Sequence, residues 1–565
     1  MIVRYYYPYK QLNFYGVNTI LTQFIKTALK EKVADPEELR NLKSRFAKKY
    51  QVDFPSNSII LRKLRQLIKA KALPENSELI SVLRIRKIRT LSGIASIGVH
   101  TKPLPCPGKC IYCPAEARMP KSYLSTQPAV IRSSTLRFDP YRMVRTRLKA
   151  YHQNGHATDK CELIVMGGTW SYHDPLYQIW FLKRCFDAFN DGLKEKNLTR
   201  KIKEPAVYRD SVKRKKIETR LWRALRAAQR KNEKASSRVV GLTLETRPDF
   251  VSTKEVVRMR NLGATRVEIG VQSIHNEILD LNKRGHQVAA TVKATRLFKD
   301  AGFKITYHLM PGLYGSTPKK DFAMFRTIFS NSDFQPDQIK IYPTLVTKYS
   351  KLYAMWKNGQ YRPYRDQALK NLLKQIKMLC PPYVRIARLF RDIPKQSIQG
   401  GMNITNIRQI IQQELNTAGK QCRCIRCREA RGRIVKLNDA RLVKREYSAS
   451  GGKEIFISFE SRDFSTIFAF CRLRLPQKSD AHFIPVLQNA AIIRELHTYG
   501  ELMPIAKSNG KIQHSGFGKR LMAIAESIAQ NKSYKKIAVI SGIGVRPYYR
   551  KLGYKLKDEY MVRGL

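Results

Sequence analysis

The stretch SGIASIGVHTKPLPCPGKCIYC, residues 92–113, joins a run of small and β-branched residues to three closely spaced cysteines. The run predicts a short buried strand. Cys106, Cys110 and Cys113 follow it, with three and then two residues between them. In parallel barrels the reactive residues lie in loops that follow the strands. We therefore expect the cysteine loop to be a site at the C-terminal edge of a parallel sheet.

Five more apolar, β-branched runs follow at intervals, and helical stretches separate them. They are CELIVMGGTW (161–170), VVGLTLET (239–246), TRVEIGVQS (265–273), FKITYHLMPG (303–312) and QIKIYPTLV (338–346). This alternation predicts an α/β fold with a parallel sheet, and six such units suit an open or complete barrel over residues 91–400. The basic stretch 192–238 interrupts the pattern and predicts a helical insertion that is ordered at least around LWRALRAAQR.

Two further regions flank the predicted barrel. Residues 1–90 are basic and carry apolar residues at helical spacing, which predicts helices that pack on the next domain, bind phosphates, or do both. Residues 401–438 read as a cysteine-containing linker. After it, residues 439–565 restart with strand-like EIFISFE and STIFAFCRLRL, the helix LMAIAESIAQ and the strand KIAVISG. We expect a compact second α/β domain there.

The charge of the chain is its most unusual bulk property. It contains 106 Lys and Arg against 44 Asp and Glu, a net charge of +62. Such an imbalance favours a polyanionic partner, above all nucleic acid, over a merely charged surface. No apolar run approaches the ~20 residues of a membrane span, and the N-terminus lacks the apolar core of a signal peptide. We expect a cytoplasmic protein without membrane contact, whose clustered cysteines serve as metal ligands or redox groups.

Three cysteines on one loop indicate an iron–sulfur cluster. A structural zinc ion takes four ligands, usually as two separated pairs. A four-iron cluster held by three cysteines keeps one iron open for a small molecule. The Cys-x3-Cys-x2-Cys spacing resembles the signature of the radical S-adenosylmethionine (SAM) enzymes, whose open iron chelates the methionine part of SAM. A zinc loop completed by a distant residue is the alternative.

Residues at the ends of later runs are candidates for binding SAM. Glycines in Met166-Gly-Gly-Thr169 would let the backbone approach the amino and carboxylate groups of the ligand. Polar residues that end the next two runs would grip its ribose or methionine part, with ordinary salt bridging at the barrel mouth as the alternative. The candidates are Gly167, Gly168, Glu245, Arg247, Gln272 and, beside them, Glu268.

The second domain carries a candidate acetyl-CoA site. Gln513, Gly516 and Gly518 precede a predicted helix, whose free backbone N–H groups would face a pyrophosphate. A strand and the sequence YYRKLGY follow. Together they resemble the acetyl-CoA site of the Gcn5-related N-acetyltransferases (GNAT), in which Tyr548 and Tyr549 would lie at the thioester end. Two core tyrosines are the alternative.

The two sites on one chain resemble the catalytic subunit family of Elongator, which acetylates C5 of tRNA uridine. The resemblance runs from about residue 85 to the end, through KIRTLSGIASIGVHTKP, CIYCP, RFDPY, VMGGT, ETRPD, EIGVQS, RGH, KIYPTLV, RDIP, IIRELHTYG, QHSGFG and IAVISGIGVRPYYRKLGY. These motifs are specific to one family rather than to a superfamily. The first 80 residues resemble the family only in general character and share no such motif.

The resemblance implies cofactors and residues. It implies a [4Fe-4S] cluster on Cys106, Cys110 and Cys113, together with SAM and acetyl-CoA. It carries acetyl-CoA contacts over to Lys160, Glu495, Leu496, His497, Thr498, Phe517, Gly518, Lys519 and Tyr549. It assigns catalytic roles to Lys160, Tyr548 and Tyr549, with Lys160 joining the barrel to a thioester that the other domain holds.

The sequence CRCIRC is a third cysteine group. By analogy with the family, Cys422, Cys424 and Cys427 form a structural zinc site in the linker, whose fourth ligand is unidentified. Reduced structural thiols are the alternative. Cys161, Cys185, Cys380 and Cys471 lie in apolar contexts and are expected in the core, although Cys380 could supply a ligand.

The implied reaction forms 5-carboxymethyluridine at the wobble position of tRNA. A deoxyadenosyl radical from SAM would abstract hydrogen from the acetyl methyl, the carbon radical would add to uridine C5, and thioester hydrolysis would follow. Expected partners are the anticodon stem-loop and an electron donor; the sequence leaves open accessory subunits, action alone or a homodimer. The alternatives are a protein lysine acetyltransferase with a structural cluster and a non-catalytic RNA-binding scaffold.

Overall fold

The computed structural model describes residues 14–85, 90, 93–194, 204–206, 210–404, 406–430, 440–477, 481–499 and 516–565. They divide into two compact units: residues up to Thr90 together with Thr146–Thr158, and Leu91–Arg145 together with Asp159–Leu565. The predicted boundaries at 400/401 and 438/439 fall inside the second unit and stay predictions. No helix in the described ranges is long and apolar enough to cross a membrane.

The first unit is helical, as its apolar spacing predicts. Its helices are α1 (Phe14–Lys30), α2 (Pro36–Tyr50), α3 (Asn57–Lys69) and α4 (Ser77–Leu83). Helix α2 begins with a capping box, in which Asp35 accepts from the backbone of Glu38 and Glu38 accepts from the backbone of Asp35. Phe24 packs against Phe46 and Phe54, with ring centroids 5.2 and 4.5 Å apart, so an apolar core lies beneath the basic outer faces.

The barrel consists of one parallel sheet, open in its described part. Its strands are β1 (Ala95–His100), β2 (Lys160–Met166), β3 (Arg238–Thr246), β4 (Arg266–Gln272), β5 (Lys304–Leu309) and β6 (Gln338–Ile341), then β8 (Arg385–Arg388) after the short β7 (Val346–Thr347). They lie in the order β1-β2-β3-β4-β5-β6-β8. All six predicted strands are confirmed. The seventh, β8, was not predicted because its sequence RIAR is too short and too charged to stand out.

Helices connect the barrel strands and cover their outer face. They are α5 (Pro128–Thr135), α6 (Pro140–Gln153), α7 (Pro175–Asp191), α8 (Ser211–Asn232), α9 (Thr253–Asn261), α10 (Asn276–Leu281), α11 (Val288–Asp300), α12 (Pro318–Ser330), α13 (Lys351–Lys357) and α14 (Asp366–Leu379). Helix α8 is the described part of the predicted basic insertion. After it come β9 (Ile398–Gly400), paired with β7, then α15 (Ile407–Thr417) and α16 (Ile425–Arg428).

The C-terminal region forms a second, mostly antiparallel sheet. Its strands are β10 (Arg441–Ala449), β11 (Gly452–Glu460), β12 (Ile467–Pro476), β13 (Ala490–Thr498), β14 (Lys536–Val539), β15 (Lys555–Lys557) and β16 (Tyr560–Gly564), with helices α17 (Phe517–Asn531) and α18 (Arg546–Arg550). Strands β13 and β14 are parallel neighbours. Helix α17 buries Phe517, Leu521 and Met522 against one face of the sheet.

The other face of this sheet packs on the N-terminal ends of the barrel strands. Arg494 of β13 donates to Asp337, which immediately precedes β6, and to the carbonyl of Phe303, which immediately precedes β5. Arg474 of β12 contacts Asp300 with an N–O distance of 2.6 Å. The cysteine loop follows β1 and therefore lies at the opposite, C-terminal edge of the barrel.

Candidate functional site

The cysteine loop is held in place by backbone hydrogen bonds to the barrel mouth. Thr101, one residue after β1, donates its N–H to the carbonyl of Met166 at 2.8 Å and its hydroxyl to the carbonyl of Gly167 at 2.9 Å. Ile111 N–H donates to the carbonyl of Asn282, and Ala115 N–H donates to the carbonyl of Tyr349. The loop is thus tied to three other loops at the same edge.

The space between the thiols is left open by a glycine. A Cβ atom on Gly108 would lie 3.5 Å from Cys110 Sγ, 3.6 Å from Cys106 Sγ and 2.7 Å from a guanidinium nitrogen of Arg247. Gly108 therefore faces a cradle bounded by two sulfur atoms and one cation. Two of the three predicted cluster ligands thus border this cradle, and a [4Fe-4S] cluster held by three cysteines carries the net negative charge that a nearby arginine favours.

Arg284 lies beside the thiol of Cys110 and lowers its pKa. Its Nη1 lies 3.5 Å from Cys110 Sγ, and its Nη2 donates to the carbonyl of Gly270. Burial alone would raise the pKa of Cys110, but Arg284, with Tyr112 and Arg247, outweighs burial and lowers it. Burial and the charge of Cys110 raise the pKa of Cys113 to about 11. The surroundings of Cys110 and Cys113 thus shift their two pKa values in opposite directions.

The two glycines after β2 have different surroundings. Gly167 has φ +123°, and a Cβ atom there would lie 2.3 Å from the Thr101 hydroxyl, so Gly167 is required for packing beneath the cysteine loop. Gly168 has φ +100°, and its nearest contact to an added Cβ would be Lys121 at 3.9 Å. Of the predicted pair, Gly168 is the glycine that leaves open space at the mouth.

Glu245 on β3 and Glu268 on β4, both candidates for binding SAM, differ in their burial and in their ion pairs. Glu245 and Glu268 are register partners, and His308 of β5 lies between them, 3.4 Å from Glu245 and 2.8 Å from Glu268. Although burial alone would lower the pKa of His308, the two carboxylates raise it. Lys340 pairs with Glu268 as well. Lys340 thus offsets part of the charge of this cluster, in which Glu268 is buried and Glu245 is half-buried.

Arg247 and Gln272 complete the set at the mouth. Arg247 is buried and donates to both carboxylate oxygens of Asp249, at 2.9 and 2.7 Å. Gln272 has φ +69°, a left-handed conformation that is strained for a non-glycine residue. Its Oε1 atom is buried without a hydrogen-bond partner in the described part of the chain. A buried acceptor of this kind fits a hydroxyl or ammonium donor of a bound ligand, as SAM would supply.

The candidate acetyl-CoA site lies where β13 and β14 separate. The strands pair only over Ala490–Ile493 and Lys536–Val539, although β13 continues to Thr498. A Cβ atom on Gly518, in the first turn of α17, would lie 3.1 Å from the Tyr548 hydroxyl and 3.9 Å from the Thr498 hydroxyl. Three predicted residues from separate elements therefore meet at one helix N-terminus, the expected place for an anion.

The remaining predicted residues of this domain differ in position. Gly516 has φ +75° and open space around it, whereas Gln513 lies outside the described residues. Glu495 faces the barrel and pairs with Lys304 at 2.6 Å and Arg472 at 3.0 Å. His497 packs against Tyr499 in a tilted arrangement, with ring centroids 4.4 Å apart, and burial lowers its pKa to about 4. Leu496 and Phe517 pack in the apolar core, and Lys519 is exposed.

The two tyrosines of α18 are not equivalent. Tyr549 is buried in the apolar core, with its ring centroid 6.1 Å from that of Tyr554. Tyr548 is half-buried, and its hydroxyl reaches the Gly518 corner. The structure thus brings Tyr548, rather than Tyr549, to the place where β13 and β14 separate.

Lys160 lies far from the cysteine loop. It begins β2, whereas the loop packs at the end of β2, so about 20 Å of strand separates them. Its register partner Arg238 packs on Gly544, where an added Cβ atom would lie 2.5 Å from Arg238 Cβ. Burial lowers the pKa of Lys160. Lys160 therefore stands at the barrel edge on which the C-terminal domain docks.

The linker cysteines form a compact group. The sulfur atoms of Cys422, Cys424 and Cys427 all lie within 4.8 Å of one another, as ligands of one ion must. Cys380 is buried outside this close group, and burial, with the charges of Cys424 and Cys427, raises its pKa. Cys161, Cys185 and Cys471 are buried as predicted.

The sequence did not predict two residues of the site, because no motif or regular spacing distinguishes them. Gly108 and Arg284 shape the cysteine cradle, yet one is a glycine in a loop and the other an isolated arginine in RGH. The alternation of charged with apolar residues in β4, as in RVEIGVQ, signals a polar barrel interior and could have pointed to the network around His308.

Comparison with known proteins agrees with this geometry. Residues 105–325 match the Radical SAM superfamily, and residues 336–417 match the radical SAM C-terminal domain. The sheet and its cysteine loop thus define a radical SAM protein.

Relatives match over nearly the whole chain. The tRNA uridine(34) acetyltransferase of Methanocaldococcus infernus is 41% identical, covering 97% of this chain and 98% of the relative. Elongator complex protein 3 of Homo sapiens is 34% identical, covering 94% and 93%. A solved structure, the archaeal Methanocaldococcus infernus Elp3 with an N-terminal deletion (1–46), is 40% identical with a TM-score of 0.68, covering 84% of this chain and 100% of that one. The chain belongs to the tRNA uridine(34) acetyltransferase and Elongator complex protein 3 family.

Proposed function

We propose that this protein transfers the acetyl group of acetyl-CoA to uridine 34 of tRNA and leaves a carboxymethyl group on C5. The observation that carries the proposal is the presence, in one compact unit, of a three-cysteine cradle and of a helix N-terminus where Gly518, Tyr548 and Thr498 meet. Uridine C5 is a poor nucleophile for ordinary acyl transfer. A radical site and an acetyl-CoA site on one chain would allow the acetyl carbon to be joined to C5 without nucleophilic attack by the uridine.

Residues at the barrel mouth would hold the radical cofactors. Cys106, Cys110 and Cys113 would bind the [4Fe-4S] cluster, which together with SAM supplies a deoxyadenosyl radical when bound. Gly168 would give the methionine part of SAM access to the backbone. The unpaired Oε1 of Gln272 would accept a hydrogen bond from the ribose or the ammonium group.

Residues of the C-terminal domain would hold the thioester. The N-terminus of α17 would bind the pyrophosphate of acetyl-CoA, and the free edge of β13 beyond Ile493 would hydrogen-bond the extended part of the cofactor. The Tyr548 hydroxyl would donate to the thioester end. Lys160, whose pKa is lowered by burial, would contact the thioester from the barrel side, at the edge where Gly544 docks.

The linker cysteines would hold a structural zinc ion. Cys422, Cys424 and Cys427 supply three close thiols, and Cys380 is our candidate for the fourth ligand. Lys377, with its ammonium 3.5 Å from Cys427 Sγ, would offset part of the thiolate charge.

The deciding experiment compares tRNA nucleosides from cells with and without the gene. We expect 5-carboxymethyluridine derivatives to be lost with it. In parallel, free CoA release should depend on added tRNA for the wild type and fall for Lys160→Ala. Release that ignores tRNA, a normal Lys160→Ala variant and acetylation of a lysine peptide would instead identify a protein acetyltransferase.

A further inference from the structure

A concave groove lies between helices α8 and α9 on the outside of the barrel. Its volume is about 650 Å³, and cationic side chains from both helices line it. Arg223, Arg226 and Arg230 come from α8, and Lys254 and Arg258 from α9. The α8 residues are spaced three and four apart, so they form one stripe about 10 Å long.

Most of these cations lack a counterion. Among the residues that the structure describes, Arg223, Arg226, Arg230 and Lys254 take part in no ion pair, although ion pairs are numerous elsewhere in this unit. Only Arg258 has an acidic neighbour, Glu218, at 3.9 Å. Four exposed, unneutralised cations around one concavity form a site for several negative charges in a row.

An aromatic side chain in the groove narrows the class of ligand. Trp222 lines it, half-buried, and its ring N–H donates to Glu218 Oε1 at 3.3 Å, which fixes the orientation of the indole. Arginines beside an oriented aromatic ring are the combination with which proteins bind unpaired nucleotides: the cations contact phosphates and a base stacks on the ring.

The first turn of α9, which contributes Lys254 to the groove, lies close in sequence to residues at the barrel mouth. Helix α9 begins at Thr253, three residues after Phe250. Phe250 packs against Tyr172 with ring centroids 5.8 Å apart, and Tyr172 is 47% exposed. Arg247, which borders the cysteine cradle, stands over the Phe250 ring at 5.7 Å. A strand in the groove would therefore pass aromatic rings on its way to the mouth.

We propose that the α8–α9 groove binds an unpaired segment of the RNA substrate, with phosphates on Arg226 and Arg230 and a base stacked on Trp222, and directs the target nucleotide toward the cysteine loop. This inference rests on the proposed function for the identity of the RNA. The inference that the groove binds an unpaired strand rests only on its cationic side chains and on Trp222.

The test measures RNA binding by the full-length protein as salt is raised. The probes are a single-stranded oligouridylate and a blunt RNA duplex of equal length. The groove variant Arg226→Gln/Arg230→Gln is compared with Lys215→Gln/Lys216→Gln, which removes two exposed charges from the same helix outside the groove. For the single strand, we expect the groove variant to reduce the slope of log affinity against log salt by about 1.4, and the control to change it by less than half of that.

Trp222 variants separate stacking from charge. Trp222→Ala should weaken binding of the single strand by about 5- to 100-fold and leave the duplex nearly unchanged, whereas Trp222→Phe should retain most of the affinity. The inference is overturned if the groove and control variants behave alike. It is also overturned if Trp222→Ala affects both probes equally, or if polyglutamate or anionic vesicles displace the RNA at equal charge.

This outcome is separable from that of the proposed function. Groove-dependent binding of oligouridylate together with unchanged tRNA nucleosides in cells without the gene would overturn the function and keep the groove. Loss of the modified nucleoside together with equal binding by both double variants would do the reverse.

Discussion

Arg494 and Asp337 form a fully buried, two-point ion pair between the C-terminal sheet and the barrel. Arg494 Nη1 lies 3.0 Å from Asp337 Oδ1 and Nη2 lies 2.5 Å from Oδ2, and neither side chain is exposed. Asp337 also accepts from the backbone N–H of Ile305, and Arg494 also pairs with Glu454 at 2.8 Å. One carboxylate therefore holds a barrel strand and a strand of the second sheet together.

Removal of either partner should destabilise the protein strongly, because the other charge stays buried alone. We expect Asp337→Ala and Arg494→Met each to lower the free energy of unfolding by about 3–5 kcal/mol in denaturant titrations. The double variant should cost at least about 1 kcal/mol less than the sum. Glu446→Ala, which breaks an exposed pair with Lys453, is the control and should change stability by less than about 1 kcal/mol. Additive costs would mean that the two residues act separately.

Glu495 makes part of this stability depend on pH. Burial alone would raise the pKa of Glu495, but Lys304 and Arg472 outweigh it and lower the pKa to about 2. The carboxylate therefore stabilises the fold above the unfolded pKa near 4.5, and this contribution is lost as the pH falls toward 2.

The gap in unfolding midpoint between the wild type and Glu495→Gln should accordingly be largest above pH 4.5 and shrink in more acid solution. Lys304→Met removes the nearer cation and should move the acid loss of stability to higher pH. A gap that is constant from pH 6 to pH 3 would contradict this assignment.

Gly542 is required for docking of the two sheets. A Cβ atom at this position would lie 2.1 Å from the carbonyl oxygen of Val240 in β3, and backbone cannot yield as a flexible side chain can. We expect Gly542→Ala to lower the thermal midpoint by several degrees, on the scale of an overpacked core. Gly564→Ala, with nothing within 4 Å of the added atom, should be close to neutral. Equal midpoints for both variants would show that the docking surface adapts.

Gly108 should control metal content although it is not a ligand. After anaerobic reconstitution the wild type should hold about four irons and four sulfides, and Cys110→Ala should lose them. Gly108→Ala keeps every thiol but fills the cradle between Cys106 and Cys110, so it should also hold markedly less iron. Cys185→Ala, a buried thiol elsewhere, is the control. Stoichiometric zinc in the loop would overturn the cluster assignment.

Tyr548 and Tyr549 should differ in their effect on acetyl-CoA. The Tyr548 hydroxyl reaches the Gly518 corner, so Tyr548→Phe should weaken acetyl-CoA binding by about 2- to 10-fold in calorimetric titration. Tyr549→Phe keeps a ring in the core and should bind nearly normally. The reverse order would place the thioester end against Tyr549.

Local patterns in the sequence account for much of the fold. The six β-branched runs mark six barrel strands, and the helical spacing in LWRALRAAQR marks the second half of α8. Three cysteines on one loop and a glycine-rich helix start pointed to both candidate sites. Each of these signals is short-range, so sequence alone carries it.

The docking of the two sheets could not be predicted from local sequence patterns. In β12, FCRLRL alternates arginines with apolar residues, which by itself predicts a solvent-facing side for Arg472 and Arg474. The barrel covers that side, and both guanidinium groups are fully buried. Their counterions on the barrel, Asp300 and Asp337, are more than 130 residues away in sequence. No periodicity links such partners.

The buried arginines of the docking surface make the C-terminal sheet depend on the barrel for its stability. A fragment that began at β10 would expose Arg472, Arg474 and Arg494 on its barrel-facing side, where Glu454 and Glu495 would remain as partners but Asp300 and Asp337 would be lost. The barrel alone would leave Asp337 without either arginine. We therefore expect a fragment that begins at β10 to be much less stable than the same region in the full-length protein.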